Sequence, residues 1–169
     1  LLTYQTVLSN FFFSFPTPWR DIKNPKFICP VPGFDRHFMM LNDFGIEALP
    51  VPLHEDGVDI EAFQKILENE DDVVGMLCVP IHSNPSGEIY SDHNLENLFK
   101  IGSSFSNKFL FIFDHAYLIH DFLPSKKQRP LWEIVKETGV EDQTVITTSF
   151  SKVTFCLLYT SDAADDTPC

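Results

Sequence analysis

Cysteine pairs, cations and glycine loops are all scarce in this 169-residue chain. The four cysteines, Cys29, Cys78, Cys156 and Cys169, form no CxxC pair and no dense framework. That excludes a disulfide-stapled scaffold and leaves reduced thiols as the default. Twelve basic residues stand against 24 acidic ones, a net charge of −12. Affinity for duplex nucleic acid rests on Lys and Arg neutralising phosphates, so nucleic acid is excluded as a partner. No basic arm or patch suited to an anionic membrane is present either. The seven glycines build no GxGxxG, no GxxxxGK[ST] and no GxSxG, which removes the dinucleotide fingerprint, the P-loop and the nucleophile elbow. His54, His82, His93, His115 and His120 show no metal-site spacing. No apolar run reaches the ~18 residues of a spanning helix. Residues 1–15 are apolar but lack the basic start and small-residue cleavage site of a secretory signal. These exclusions leave an α/β chain expected to be soluble and cytoplasmic.

What is present is alternation. Residues 26–30 form a short apolar run closed by Pro30 and Pro32, hence a strand. Asp35 is a candidate N-cap for a helix with Phe38, Leu41 and Phe44 inward and Gly45 as its stop. Residues 46–51 predict a second strand. Asp59 caps a helix whose Ile60, Phe63 and Leu67 follow i, i+3, i+7. The continuous apolar run 73–79 has the pattern of a strand buried on both faces. Ser91 starts a helix with Leu95, Leu98 and Phe99 on one side, and 109–113 is another buried strand that stops at Asp114. Pro130 suits the first position of a helix running through Leu131, Ile134 and Val135 to Gly139. Residues 144–148 supply the last strand. Strand and helix alternating with short connections predict a largely parallel sheet with helices on both faces.

In such sheets ligands bind beyond the carboxyl ends of the strands. The polar clusters fall there: Pro32-Gly33-Phe34-Asp35-Arg36-His37 after the first strand and His82-Ser83-Asn84-Pro85-Ser86-Gly87 after the third. Asp114-His115-Ala116-Tyr117 follows the fourth, and Ser149-Phe150-Ser151-Lys152 the last. Adjacent Asp114 and His115 do not suggest a hydrolytic dyad, because neighbouring strand residues point to opposite faces. Asn84-Pro85-Ser86-Gly87 is by itself a good turn, and it admits a cis bond before Pro85.

In order and spacing, Asn84-Pro85-Ser86-Gly87, Asp114-x-x-Tyr117 and Ser149-x-x-Lys152 resemble the signature of fold-type I pyridoxal-phosphate enzymes, the aminotransferase class I/II superfamily. Pro32-Gly33-Phe34-Asp35-Arg36-His37-Phe38, Phe44-Gly45-Ile46-Glu47, Ser83-Asn84-Pro85-Ser86-Gly87 and Ser151-Lys152-Val153-Thr154-Phe155 resemble a bacterial branch within it, the aspartate-type aminotransferases of alanine–glyoxylate and MocR type. The resemblance covers residues 1–155 and implies part of the large, cofactor-binding domain. It implies pyridoxal 5′-phosphate as cofactor, an electron sink that must be held as an imine and oriented. Lys152 is then the amine of that imine and the carrier of the substrate's Cα proton. Asp114 keeps the ring nitrogen protonated, Tyr117 and Asn84 donate to the phenolic oxygen, and Ser149 contacts the phosphate. Phe34 lies against the ring, and His37 supports Asp114.

Three functions fit those motifs. The first is an aminotransferase moving an amino group from an L-amino acid, by analogy aspartate-like, to a 2-oxo acid. The second is another reaction of the same cofactor, such as a lyase, decarboxylase or racemase. The third is a non-catalytic cofactor-binding regulatory domain. The resemblance also implies a homodimer. It further calls for a phosphate-binding turn before residue 1 and for arginines beyond Lys152. Arg20, Arg36 and Arg129 are the only arginines, and none sits at those places, so the chain as written is expected to be inactive.

Both ends carry their own expectation. Leu1, Tyr4 and Leu8 fit a helix already under way, so a natural start upstream is expected. Residues 156–166 resemble the in-frame translation of a sequencing-library adapter, and residues 156–169 are set aside as an artefact tail. Deleting its three aspartates takes the net charge from −12 to −9.

Overall fold

The computed structural model describes Trp19, residues 22–117 and residues 129–149. Among the described residues ten elements follow one another: β1 (Lys26–Val31), α1 (Asp35–Asp43), β2 (Glu47–His54), β3 (Gly57–Val58), α2 (Ile60–Asn69), β4 (Val73–Cys78), α3 (Asp92–Phe105), β5 (Leu110–Asp114), α4 (Leu131–Thr138) and β6 (Thr144–Thr147), with a 3₁₀ turn at Glu141–Gln143 before β6. The strands form a sheet of order β3-β2-β1-β4-β5-β6. Every pairing is parallel except β2 with the two-residue β3. From β1 the chain steps outward to β2, then returns to β4 and steps outward on the other side. The seam between β1 and β4 is therefore the point where strand order reverses, the usual place for a ligand crevice in an open α/β sheet.

Local chemistry accounts for the helices. The Asp59 side chain accepts from Ala62 N at 2.8 Å, and the Ser91 hydroxyl accepts from Asn94 N at 3.1 Å. Gly45 and Gly139 end their helices at φ +68° and +69°, left-handed values that cost glycine nothing. Three boundaries differ from expectation. Phe34, not Asp35, is the N-cap of α1, with no side-chain cap bond, so Asp35 enters the first turn as a favourable negative charge. Phe44 is the C-cap and 39% exposed, because the buried face of α1 runs through His37 and Leu41, one turn apart. Pro130 likewise caps α4 rather than entering it.

Strand parity divides the core into two layers. Phe109, Phe111 and Phe113 face α2, α3 and α4, where Phe99 meets Phe111 and Phe113 edge-on at 5.0 and 5.6 Å. Leu110 and Ile112 face the opposite layer with Phe27, Cys29, Leu41 and Trp19. β4 switches parity part-way: the register against β1 passes from Lys26↔Val73 to Phe27↔Gly75, skipping Val74. Gly75 sits at this bulge, where a Cβ would lie 2.3 Å from the Leu110 carbonyl oxygen. On β2 the N–H of Glu47 donates towards β1, to the Pro25 carbonyl. Pro50 and Pro52, of the other parity, thus turn their missing N–H groups to the outer edge, where only Leu53 and His54 pair with β3.

Among the described residues, no helix is long and apolar enough to cross a membrane.

Candidate active site

Parity also builds the site. Asp114 ends β5 in phase with Leu110 and Ile112, so its carboxylate emerges on the α1 layer of the sheet. His37 projects from the buried side of α1 into that layer. His37 Nε2 and Asp114 Oδ2 lie 3.2 Å apart, with the imidazole 6% and the carboxylate 15% exposed. An ionised carboxylate only accepts hydrogen bonds, so Nε2 carries the proton and donates it. Asp114 Oδ1 accepts from Ala116 N at 3.1 Å, a turn that anchors the carboxylate to its own backbone. One edge of the His37 ring meets Phe34, with centroids 5.2 Å apart and planes at 87°. Phe34, His37 and Asp114 thus form one connected group.

A cleft at the β1–β4 seam is lined by Gly33, Phe34 and His37 on one side and by Val79, Ser83 and Asn84 on the other. The Asn84 amide donates to the Tyr117 hydroxyl at 3.4 Å, which ties the loop after β4 to the loop after β5. The bond before Pro85 is cis, as is that between Val31 and Pro32. β6 runs parallel to β5 with Thr147 opposite Asp114, and the Thr147 carbonyl accepts from His115 N at 2.8 Å. Ser149 is half-buried two residues beyond that strand.

The other reactive groups near the cleft are muted. Burial pushes the Cys29 thiol up to about 12 and the Cys78 thiol higher still, so both stay protonated and neither serves as a nucleophile. His115 shares parity with Phe111 and Phe113 and lies on the far layer, only 4% exposed and with its Nε2 unpartnered. Burial lowers its pKa, an effect the neighbouring Asp114 charge only partly opposes. Asp114 and His115 therefore make no dyad.

The family model described as aspartate amino-transferase matches residues 12–162. The chain belongs to the aspartate aminotransferase family. It is 34% identical over 142 residues to a Mycolicibacterium smegmatis protein named as an aminotransferase, covering 83% of this chain and 33% of that protein. Among solved structures it is similar to an aspartate transaminase from Corynebacterium glutamicum, with a TM-score of 0.79 and 29% identity over 90% of this chain and 37% of that one. It also shares the fold of a pyridoxal-phosphate-bound C–S lyase from Staphylococcus hominis, with a TM-score of 0.68 and 20% identity over 79% of this chain and 34% of that one. The chain spans about a third of the length of that Mycolicibacterium relative.

Within this aminotransferase-family frame, the structure brings Phe34, His37, Asn84, Asp114 and Tyr117 to one edge of the sheet, with Ser149 just past the neighbouring strand. Lys152 lies outside the described residues, as do the proposed helix around Leu1, Tyr4 and Leu8 and residues 156–169. Two further participants in the loop after β4 emerge only from the coordinates. His82 has φ +52°, a left-handed conformation rare for a residue with a Cβ, and the Ser83 hydroxyl donates to the Val79 carbonyl. Ser83 stands beside Asn84 in the quoted motif, but nothing in its residue type announces the backbone reversal at His82.

Proposed function

We propose that the protein carrying this chain is a pyridoxal-phosphate-dependent aminotransferase. In this reading it moves the amino group of an L-amino acid, aspartate or a close analogue, to a 2-oxo acid, as a homodimer in the cytoplasm. The observation that carries the reading is the Asp114 carboxylate at the end of β5, 3.2 Å from His37, which lines the cleft at the β1–β4 seam.

The donor set fits the cofactor group by group. A carboxylate oriented at two oxygens suits a protonated ring nitrogen, and its charge favours the protonated form. The Asn84 amide and the Tyr117 hydroxyl suit a ring oxygen, the Phe34 ring suits an aromatic face, and the Ser149 hydroxyl suits phosphate. When bound, pyridoxal phosphate supplies the sink for the electrons released at the substrate's Cα. Everything else falls to the chain. His37 fixes the direction of the Asp114 carboxylate, whose charge would then face the ring nitrogen. Tyr117 and Asn84 would hold the ring oxygen and temper its charge. Lys152, five residues past β6, provides the amine that retains the cofactor and then carries the proton from the substrate's Cα on its Nζ.

Borohydride reduction of the protein with pyridoxal phosphate, followed by peptide mapping, is expected to leave a pyridoxyl group on Lys152. Labelling spread over exposed lysines, with Lys152 unmodified, would overturn the assignment. Transfer of ¹⁵N from amino donor to 2-oxo acid is expected of a transaminase. Release of the label as ammonia, or of the substrate carboxyl as CO₂, would assign a lyase or decarboxylase instead.

A further inference from the structure

We propose that Ser83 is the positioning residue for Asn84, working through a backbone reversal at His82. This inference rests on the assignment of Asn84 to the cofactor. Past Cys78 the chain leaves the sheet, and the Val79 carbonyl, one residue beyond the ladder, is taken up by the Ser83 hydroxyl. Ser83 is 5% exposed and uses all three of its polar groups inside this one loop. Its N–H donates to the Glu88 carbonyl at 2.9 Å, and its own carbonyl accepts from Gly87 N. A further bond from Tyr90 N to Pro80 O, at 2.9 Å, closes the base of the loop. Asn84 is the next residue, so its amide stands on a corner fixed at three points. The corner forms only because His82 adopts φ +52°, which turns the chain so that Ser83 faces back on Val79. A residue with a Cβ is strained there, and the surrounding bonds must sustain that strain. The long 3.4 Å contact between Asn84 Nδ2 and Tyr117 Oη leaves little margin, since a further few tenths of an ångström would end it.

Two readouts test this without relying on turnover. In the protein free of cofactor, the side-chain amide signals of Asn84 in a ¹H–¹⁵N spectrum report its surroundings. In the loaded protein, the pH midpoint of the cofactor's visible band reports the donors on its ring oxygen. Ser83→Ala is expected to shift the Asn84 signals. It is also expected to raise the midpoint by about 0.5–1 pH unit, the shift for losing one neutral hydrogen bond to a titrating group. Asn84→Ala should move the midpoint in the same direction. Ser83→Thr, which keeps the hydroxyl, should restore both readouts, which a simple loss of stability would not explain. His82→Gly, at ease with a positive φ, should leave both as in the wild type, whereas His82→Val should act like Ser83→Ala. Wild-type Asn84 signals and midpoint in Ser83→Ala would overturn the proposal, as would a shift that Thr fails to reverse. If Ser83→Ala does not fold, the His82 pair decides: equal shifts for Gly and Val would refute it. A wild type that acquires no visible band would sink the cofactor reading, while the amide signals would still test the role of Ser83.

Discussion

His115 and Asp114 are chain neighbours with opposite fates, and one peptide bond of strand parity makes the difference. Asp114 faces α1 and finds His37, whereas His115 faces the phenylalanine layer and finds nothing for its Nε2. Burial holds the His115 pKa below its ordinary 6.5, so the folded protein keeps the ring neutral. The unfolded chain takes up a proton near 6.5 while the folded one does not. Stability is therefore unaffected by this group above that pH and falls as pH drops below it, until the folded-state value is reached. One such group contributes a slope of at most ~1.4 kcal/mol per pH unit. Denaturant melts of the wild type and His115→Gln between pH 7.5 and 5 should converge as the pH falls, with the variant showing the flatter profile. Parallel profiles would place the acid sensitivity elsewhere.

At the level of elements, what the sequence made legible was whatever a local rule governs. Asp59 and Ser91 cap their helices, Gly45 and Gly139 end theirs, and the buried runs of β4 and β5 lie where apolar continuity puts them. Features set by distant partners were not legible. β3 has only two residues, and beside its pairing with β2 it is held from α3: Asn94 Oδ1 accepts from Val58 N at 3.2 Å, and Asn94 Nδ2 donates to Val58 O at 2.8 Å. One side-chain amide thereby imitates a neighbouring strand, 36 residues away in sequence. Gly57 makes room for it, since a Cβ there would lie 2.3 Å from Asn94 Oδ1. The bulge at Gly75 escaped for the same reason, because only the register against β1 reveals it. Replacing Asn94 with alanine leaves a buried N–H and C=O without partners, at about 1–3 kcal/mol each. Asn94→Ala should therefore lose roughly 2–6 kcal/mol in urea unfolding, with early exchange of the Val58 amide. A loss within 0.5 kcal/mol of zero would show that β3 contributes nothing to the edge.

For the molecule as a whole, the seam between β1 and β4 is where two outward-stepping halves of one sheet meet. The site draws on both: Phe34 and His37 belong to the β1 half, Asn84, Asp114 and Tyr117 to the β4 half. Sequence order alone placed these residues after apolar runs, and the convergence of those runs at one edge was legible from alternation. The pairing of His37 with Asp114 across 77 positions, implied beforehand only by the family resemblance, follows from helix phase and strand parity together. A ligand that bridges the seam stabilises the folded state against an unfolded chain that cannot bind it. At a hundredfold excess over its dissociation constant the gain is about 2.7 kcal/mol. Pyridoxal phosphate at that excess should therefore raise the melting temperature of the wild type. Asp114→Asn keeps the shape and removes the charge. Without cofactor it should melt within a few degrees of the wild type, because the carboxylate is partly exposed and His37 can still donate to the amide oxygen. With cofactor at the same concentration it should lose most of the gain, since a neutral amide no longer favours a protonated ring nitrogen. An equal rise in wild type and Asp114→Asn would mean that the cofactor is held elsewhere and that the His37–Asp114 pair only ties α1 to the sheet.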